Sequence, residues 1–99
     1  GSAHVIDADL AINALGFDPE DLPNLFGAPE LSVSNWGTIE IDSKTMMTSL
    51  DGVFAAGDIV RGASLVVWAV RDARDAAASI DRYLMGKRQD ASSLLQMTA

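Results

Sequence analysis

The 99-residue chain contains no cysteine, one histidine and only seven lysines and arginines. Without cysteine it forms no disulfide, offers no thiolate nucleophile or CxxC redox pair, and cannot ligate an iron–sulfur cluster. A single histidine, His4 near the start, leaves a protein-built zinc site short of ligands. These residues therefore cannot move electrons unaided. The few cations, Lys44, Arg61, Arg71, Arg74, Arg82, Lys87 and Arg88, are scattered among fourteen acidic residues, giving a formal charge of −7. Nucleic-acid binding needs basic groups gathered on one face, so that class of partner is not expected. Long apolar runs are also missing: the longest is LVVWAV, six residues, against the ~20 of a membrane span. The opening GSAHVIDADL has no basic segment leading into an apolar one, so no secretory signal is read. A soluble, cytoplasmic chain is the expectation.

What is present is an ordinary globular composition, 48% apolar, in a length suited to one domain or a piece of one. A chain of this size buries only a modest core, so missing neighbours would matter. Residues 9–17, DLAINALGF, read as a short strand broken at Gly16, with Val5 and Ile6 as an earlier one. All three prolines fall in or beside residues 17–30, a loop with one helical turn around Asp21 to Phe26. LSVSNWGTIEID alternates as a hairpin does, with Gly37 taking positive φ. An Asp51-Gly52 turn then leads into a small-residue strand, Val53 to Gly57.

Residues 63–85 carry the clearest helical pattern. Val66, Val70, Ala73, Ala77, Ile80 and Leu84 recur at alternating steps of four and three, with Arg71, Asp72, Arg74, Asp75, Asp81 and Arg82 mainly opposite. Ser64 is the expected N-cap and Gly86 the expected stop. The remainder, residues 87–99, shows no cap or turn logic and is expected to be a mobile tail.

Between strand and helix lies AAGDIVRGAS. Gly57 and Gly62 have nearly the spacing of a phosphate-binding P-loop, but Ala63 stands where the lysine belongs, and Asp58 places negative charge inside the loop. A helix starting near Gly62 to Ser64 offers free N–H donors and a dipole to an anion or a carbonyl oxygen. Gly62 and Ala63 let a flat ligand approach the backbone. A carboxylate in that position suits hydroxyl donors, as the acidic residue of dinucleotide folds accepts from ribose. The loop thus asks for a ligand with hydroxyls beside its phosphates. The plainer alternative is a strand-to-helix turn closed by an Asx-type hydrogen bond, and spacing alone leaves both open.

The run from Thr48 to Asp58, TSLDGVFAAGD, resembles the second FAD-binding motif of flavoproteins with paired dinucleotide-binding domains. Continued through VRGASLVVWAV and Arg74-Asp75-Ala76-Ala77, it resembles the C-terminal part of the glutamate synthase small (beta) subunit family. Relatives of that family include the N-terminal half of dihydropyrimidine dehydrogenase. Ala8 to Phe17 is similar to the strand by which such proteins re-enter the FAD domain from the NADPH domain. The resemblance covers residues 1–86. It implies an α/β fold, the C-terminal portion of a Rossmann-like FAD-binding domain with strands and a hairpin packed on one long helix.

It also implies that Asp58, after Gly57, holds a ribityl hydroxyl of FAD. Gly62, Ala63, Ser64 and Leu65 would face the flavin's pyrimidine carbonyl with backbone donors. None of these residues would be an acid, base or nucleophile. The NADPH loop, the FAD pyrophosphate loop and the iron–sulfur cysteines would lie outside the chain. Its partners would be the remainder of the small subunit and the large subunit, and the chain alone would be inactive. Two other readings stand beside this one: a non-catalytic interaction or dimerisation module with self-association, and a segment of another FAD-dependent reductase.

Trp36 and Trp68 are read as packing residues, Asp7 and Asp9 as solvated or capping, and Met46-Met47 as gap-filling. Arg61 is the loop cation best placed to meet a cofactor or a carboxylate.

Overall fold

The computed structural model describes residues 1–98 of the chain. Its elements are three helices, α1 (Leu22–Leu25), α2 (Asp58–Arg61) and α3 (Val66–Met97), joined by turns and two isolated antiparallel bridges, Val33 with Ile39 and Met47 with Phe54.

Residues 1–18 are exposed and carry no regular structure. The strands expected at Val5-Ile6 and residues 9–17 are therefore absent. A strand needs neighbouring N–H and C=O groups, and no backbone partner from the described residues lies beside this segment. Phe17 is 91% exposed. The turn expected at Asp21 to Phe26 is present as α1: Asp21 caps it by accepting from the Asn24 N–H at 3.5 Å, with Pro23 in its first turn.

The hairpin around Gly37 also forms, though as a single bridge. The Ser34 N–H donates to the Thr38 carbonyl at 2.8 Å, Glu40 to Ser32 at 3.0 Å, and Gly37 takes φ +82°. A second turn follows the same logic. Thr48 N–H donates to Val53 at 2.8 Å, Ala55 to Met46 at 3.2 Å, and Gly52 takes φ +78°. The expected strand from Val53 to Gly57 is reduced to the bridge at Phe54. Met46 is buried, consistent with gap filling, and Met47 is half-buried.

The long helix differs from expectation in three ways. It continues through Gly86 to Met97, where Thr98 closes it with N–H and hydroxyl bonds to the Leu94 carbonyl. Glycine costs a helix interior about 1 kcal/mol relative to alanine, and the alanine, leucines, lysine, arginine and glutamines after it outweigh that. Leu65, not Ser64, occupies the N-cap, without a side-chain cap bond.

The face α3 turns to the rest of the chain is also not the apolar stripe. Asp72, Ala76 and Ser79 are buried and Ala69 and Tyr83 half-buried, a 3–4 spaced row of small and polar residues. Val66, Val70, Ala73, Ala77, Ile80 and Leu84 point outward, with Val66 78% exposed. Small side chains let the turn layer approach closely, and the stripe is left largely exposed.

The core is correspondingly small: Leu31, Ile39, Met46 and Ala76. Tyr83 ties it to the second turn, stacking edge-on against Phe54 at 5.7 Å and donating to Asp51 at 2.9 Å. The radius of gyration, 20.8 Å, exceeds the ~13 Å of a compact domain of this length. The exposed residues 1–18 and the projecting 32-residue helix account for the difference.

Candidate functional site

Two glycines with positive φ, Gly57 at +82° and Gly62 at +84°, bracket the single turn of α2. The turn closes through Arg61 N–H to Gly57 at 2.9 Å and Gly62 N–H to Asp58 at 2.8 Å. Its middle is tied to the hairpin, because the Ile39 N–H donates to the Ile59 carbonyl at 2.8 Å. Chain direction thus reverses twice within a few residues, which only glycine does without strain at positive φ.

This geometry opens a hollow lined by Phe17, Asp18, Pro19, Thr38, Asp58, Ile59, Gly62 and Ala63. Of the residues singled out in the sequence, Asp58, Gly62 and Ala63 border it. Ser64 stands beside it and donates its hydroxyl to Asp58 Oδ1 at 3.2 Å, so it braces the carboxylate where a helix cap was expected. Gly57 starts the turn, and Leu65, 70% exposed, ends the approach to α3. The wall from the N-terminal segment, Phe17 to Pro19, and from Thr38 was not read from the sequence. Its one visible signal was the density of turn formers in both segments.

Among the described residues, the N–H groups of Ala63, Ser64, Leu65, Val66 and Val67 donate to no protein acceptor. They form a short row of donors at the N-terminus of α3. A Cβ built on Gly57 or Gly62 would meet nothing within 4 Å, so the backbone there is open to a ligand. The site can accept hydroxyl donors at Asp58 and donate to carbonyl or anionic oxygen at the helix start. No group of three or more potential metal ligands occurs among the described residues.

Arg61 turns away from the hollow. Its Nε and Nη2 donate to Asp72 Oδ2 at 2.9 Å and Oδ1 at 2.6 Å, and the guanidinium lies 5.0 Å from the Trp68 ring centre. Arg71 sits 5.8 Å from the same ring. Trp68 therefore meets two guanidinium groups while staying 40% exposed, and Trp36 is 85% exposed, so neither is a buried packing residue among the described residues. The hydrogen bonds from Arg61 hold the Asp72 carboxyl below the ordinary carboxylate value against the opposing effect of burial. A depressed pKa means that this stabilisation is complete above the ordinary carboxylate range and fades as pH falls through the lowered value.

The chain matches the pyridine nucleotide-disulphide oxidoreductase family over residues 1–73. It is 63% identical over 89 residues to the glutamate synthase [NADPH] small chain of Azospirillum brasilense, an alignment covering 90% of this chain and 18% of that protein. It is 67% identical over 84 residues to the putative glutamate synthase [NADPH] small chain of Cereibacter sphaeroides, covering 85% and 20%. With the beta subunit of the NADP(+)-dependent formate dehydrogenase of Moorella thermoacetica it shares 44% over 84 residues, covering 85% and 12%. The chain thus spans at most about a fifth of the length of these curated relatives. The family match and the identities agree with the glycine-bracketed turn and the donor row: the chain belongs to the pyridine nucleotide-disulphide oxidoreductase family.

Proposed function

We propose that residues 1–86 supply the C-terminal part of the FAD-binding domain of an NADPH-dependent glutamate synthase small chain. The observation that carries this reading is the open donor row at residues 63–67, which begins at Ala63 where Ala63, Gly62 and Asp58 border one hollow. The fit is chemical. Asp58 accepts a hydroxyl of the ribityl chain, Ser64 holds that carboxylate in place, and the N–H groups near Gly62 to Leu65 face a ring carbonyl. Bound FAD would accept a hydride equivalent from NADPH and release its electrons onward to iron–sulfur clusters held elsewhere. The residues of this chain bind and orient; none transfers a proton.

The exposed stripe Val66, Val70, Ala73, Ala77, Ile80 and Leu84 is the second support. Six helical positions at 3–4 spacing are an unsatisfied packing face, and we assign them to the remainder of the small chain. The large subunit is the further partner of that assembly, where the electrons are consumed. No helix among the described residues is long and apolar enough to cross a membrane, in keeping with a cytoplasmic complex.

The test is the flavin content of the full-length protein that carries this segment. About one FAD per chain should be released on denaturation, and the holoprotein should oxidise NADPH with an artificial acceptor. A folded protein that purifies without flavin and takes up none from solution would exclude the reading.

A further inference from the structure

The turn that forms the site has little to hold it. Four residues are too few to sustain a helix alone, and both flanks are positive-φ glycines with open space where a Cβ would stand. Besides the Ser64 hydroxyl bond to Asp58, two attachments fix it. One is the hydrogen bond from Ile39 to Ile59. The other is Arg61, whose two bonds reach Asp72 in the second turn of α3.

Asp72 is only 6% exposed, and both of its oxygens are engaged by the same guanidinium. Trp68, one turn nearer the start of α3, packs against the same group. A planar fork meeting a carboxylate in two parallel bonds fixes direction as well as distance. The end of α2 is thereby held at a set position relative to the first turns of α3. Gly62 and Ala63, which border the hollow, and the donor row that follows lie between these two fixed points.

We propose that Arg61 and Asp72 are positioning residues that set the spacing between the Asp58 turn and the donor row of α3, and so determine how tightly the site holds its flavin. The proposal rests on the flavin reading of the hollow. Arg61 itself touches no ligand, since it lies on the far side of the turn and lines a separate cleft with Met46, Trp68 and Asp75.

The experiment uses the full-length flavoprotein. Arg61→Met and Asp72→Asn should each weaken FAD binding about tenfold and speed amide exchange at Gly62 by a similar factor. Arg61→Lys should recover part of both, since a lysine makes one bond where arginine makes two. The informative variant is the double replacement Arg61→Met with Asp72→Leu. It leaves no buried unpaired charge and should regain the unfolding midpoint of the parent, yet keep the weakened FAD binding and the fast Gly62 exchange. Wild-type FAD affinity in that double variant would show that the pair serves stability alone and overturn the proposal, as would unchanged exchange at Gly62 in the single variants. A wild-type protein that binds no flavin would instead overturn the flavin reading, and the affinity part of this proposal with it; Gly62 exchange still decides whether the pair fixes the turn.

Discussion

Asp58→Ala in the full-length flavoprotein is expected to lower FAD affinity about ten- to a hundredfold, the scale of losing one hydrogen bond to a charged group. The carboxylate stands at the start of α2, on the hollow, with Oδ1 already accepting from Ser64. Its other oxygen remains to accept from a ligand hydroxyl. Truncation removes both the acceptor and the brace on Ser64, while the backbone of the turn, closed by Gly62 N–H to the residue 58 carbonyl, is retained. Asp58→Asn keeps an acceptor of the same shape and should lose less. Fluorescence recovery of released FAD reads the difference, and wild-type affinity in the alanine variant would remove Asp58 from the site.

Gly52→Val is expected to be the most damaging single change to the fold, by about 2–3 kcal/mol. Two costs coincide there. A β-branched residue is forced to φ +78°, and its Cβ would stand 3.0 Å from the Tyr83 hydroxyl and 3.4 Å from the ring carbon bearing it. Tyr83 cannot withdraw without giving up its bond to Asp51 and its edge contact with Phe54. Those contacts connect α3 to the second turn. Gly52→Ala should cost less, because it adds the strain with a smaller clash. Chemical denaturation of the three proteins gives the order; equal midpoints for Val and Gly would contradict it.

The parts of this fold that were legible in the sequence are those fixed by local chemistry. Asp21 with Pro23 announces a helical start, Gly37 a reversal, and the apolar repeat from Val66 a helix, and all three are present. The end of α3 was not legible, because a glycine followed by polar residues has the form of a stop. Gly86 is instead carried by helix-forming residues on both sides. The strand at residues 9–17 was misread for a different reason. Its composition suits a buried strand, but no described residue pairs with it or covers it.

The helix face was misjudged as well. The 3–4 repeat that includes Val66, Val70 and Ile80 carried the hydrophobic signal, yet those side chains are exposed among the described residues. The row Asp72, Ala76 and Ser79, small and polar, gave no hydrophobic signal of its own, although it is the row that packs here. At the site, Asp58, Gly62 and Ala63, singled out in the sequence, border one hollow. The Ser64 bond to Asp58 was missed in favour of a cap. The partner of Arg61 lies eleven positions away and became visible only once the geometry brought α2 against α3.

The proposed flavin site requires that this turn and helix start contact the flavin. The direct measurement is hydrogen–deuterium exchange of the full-length apoprotein before and after reconstitution with saturating FAD. Amides of residues 62–67 should exchange at least tenfold more slowly in the holoprotein, since the donor row would then have acceptors. Unchanged exchange across those residues, with FAD bound and protection confined to other parts of the protein, would contradict the assignment.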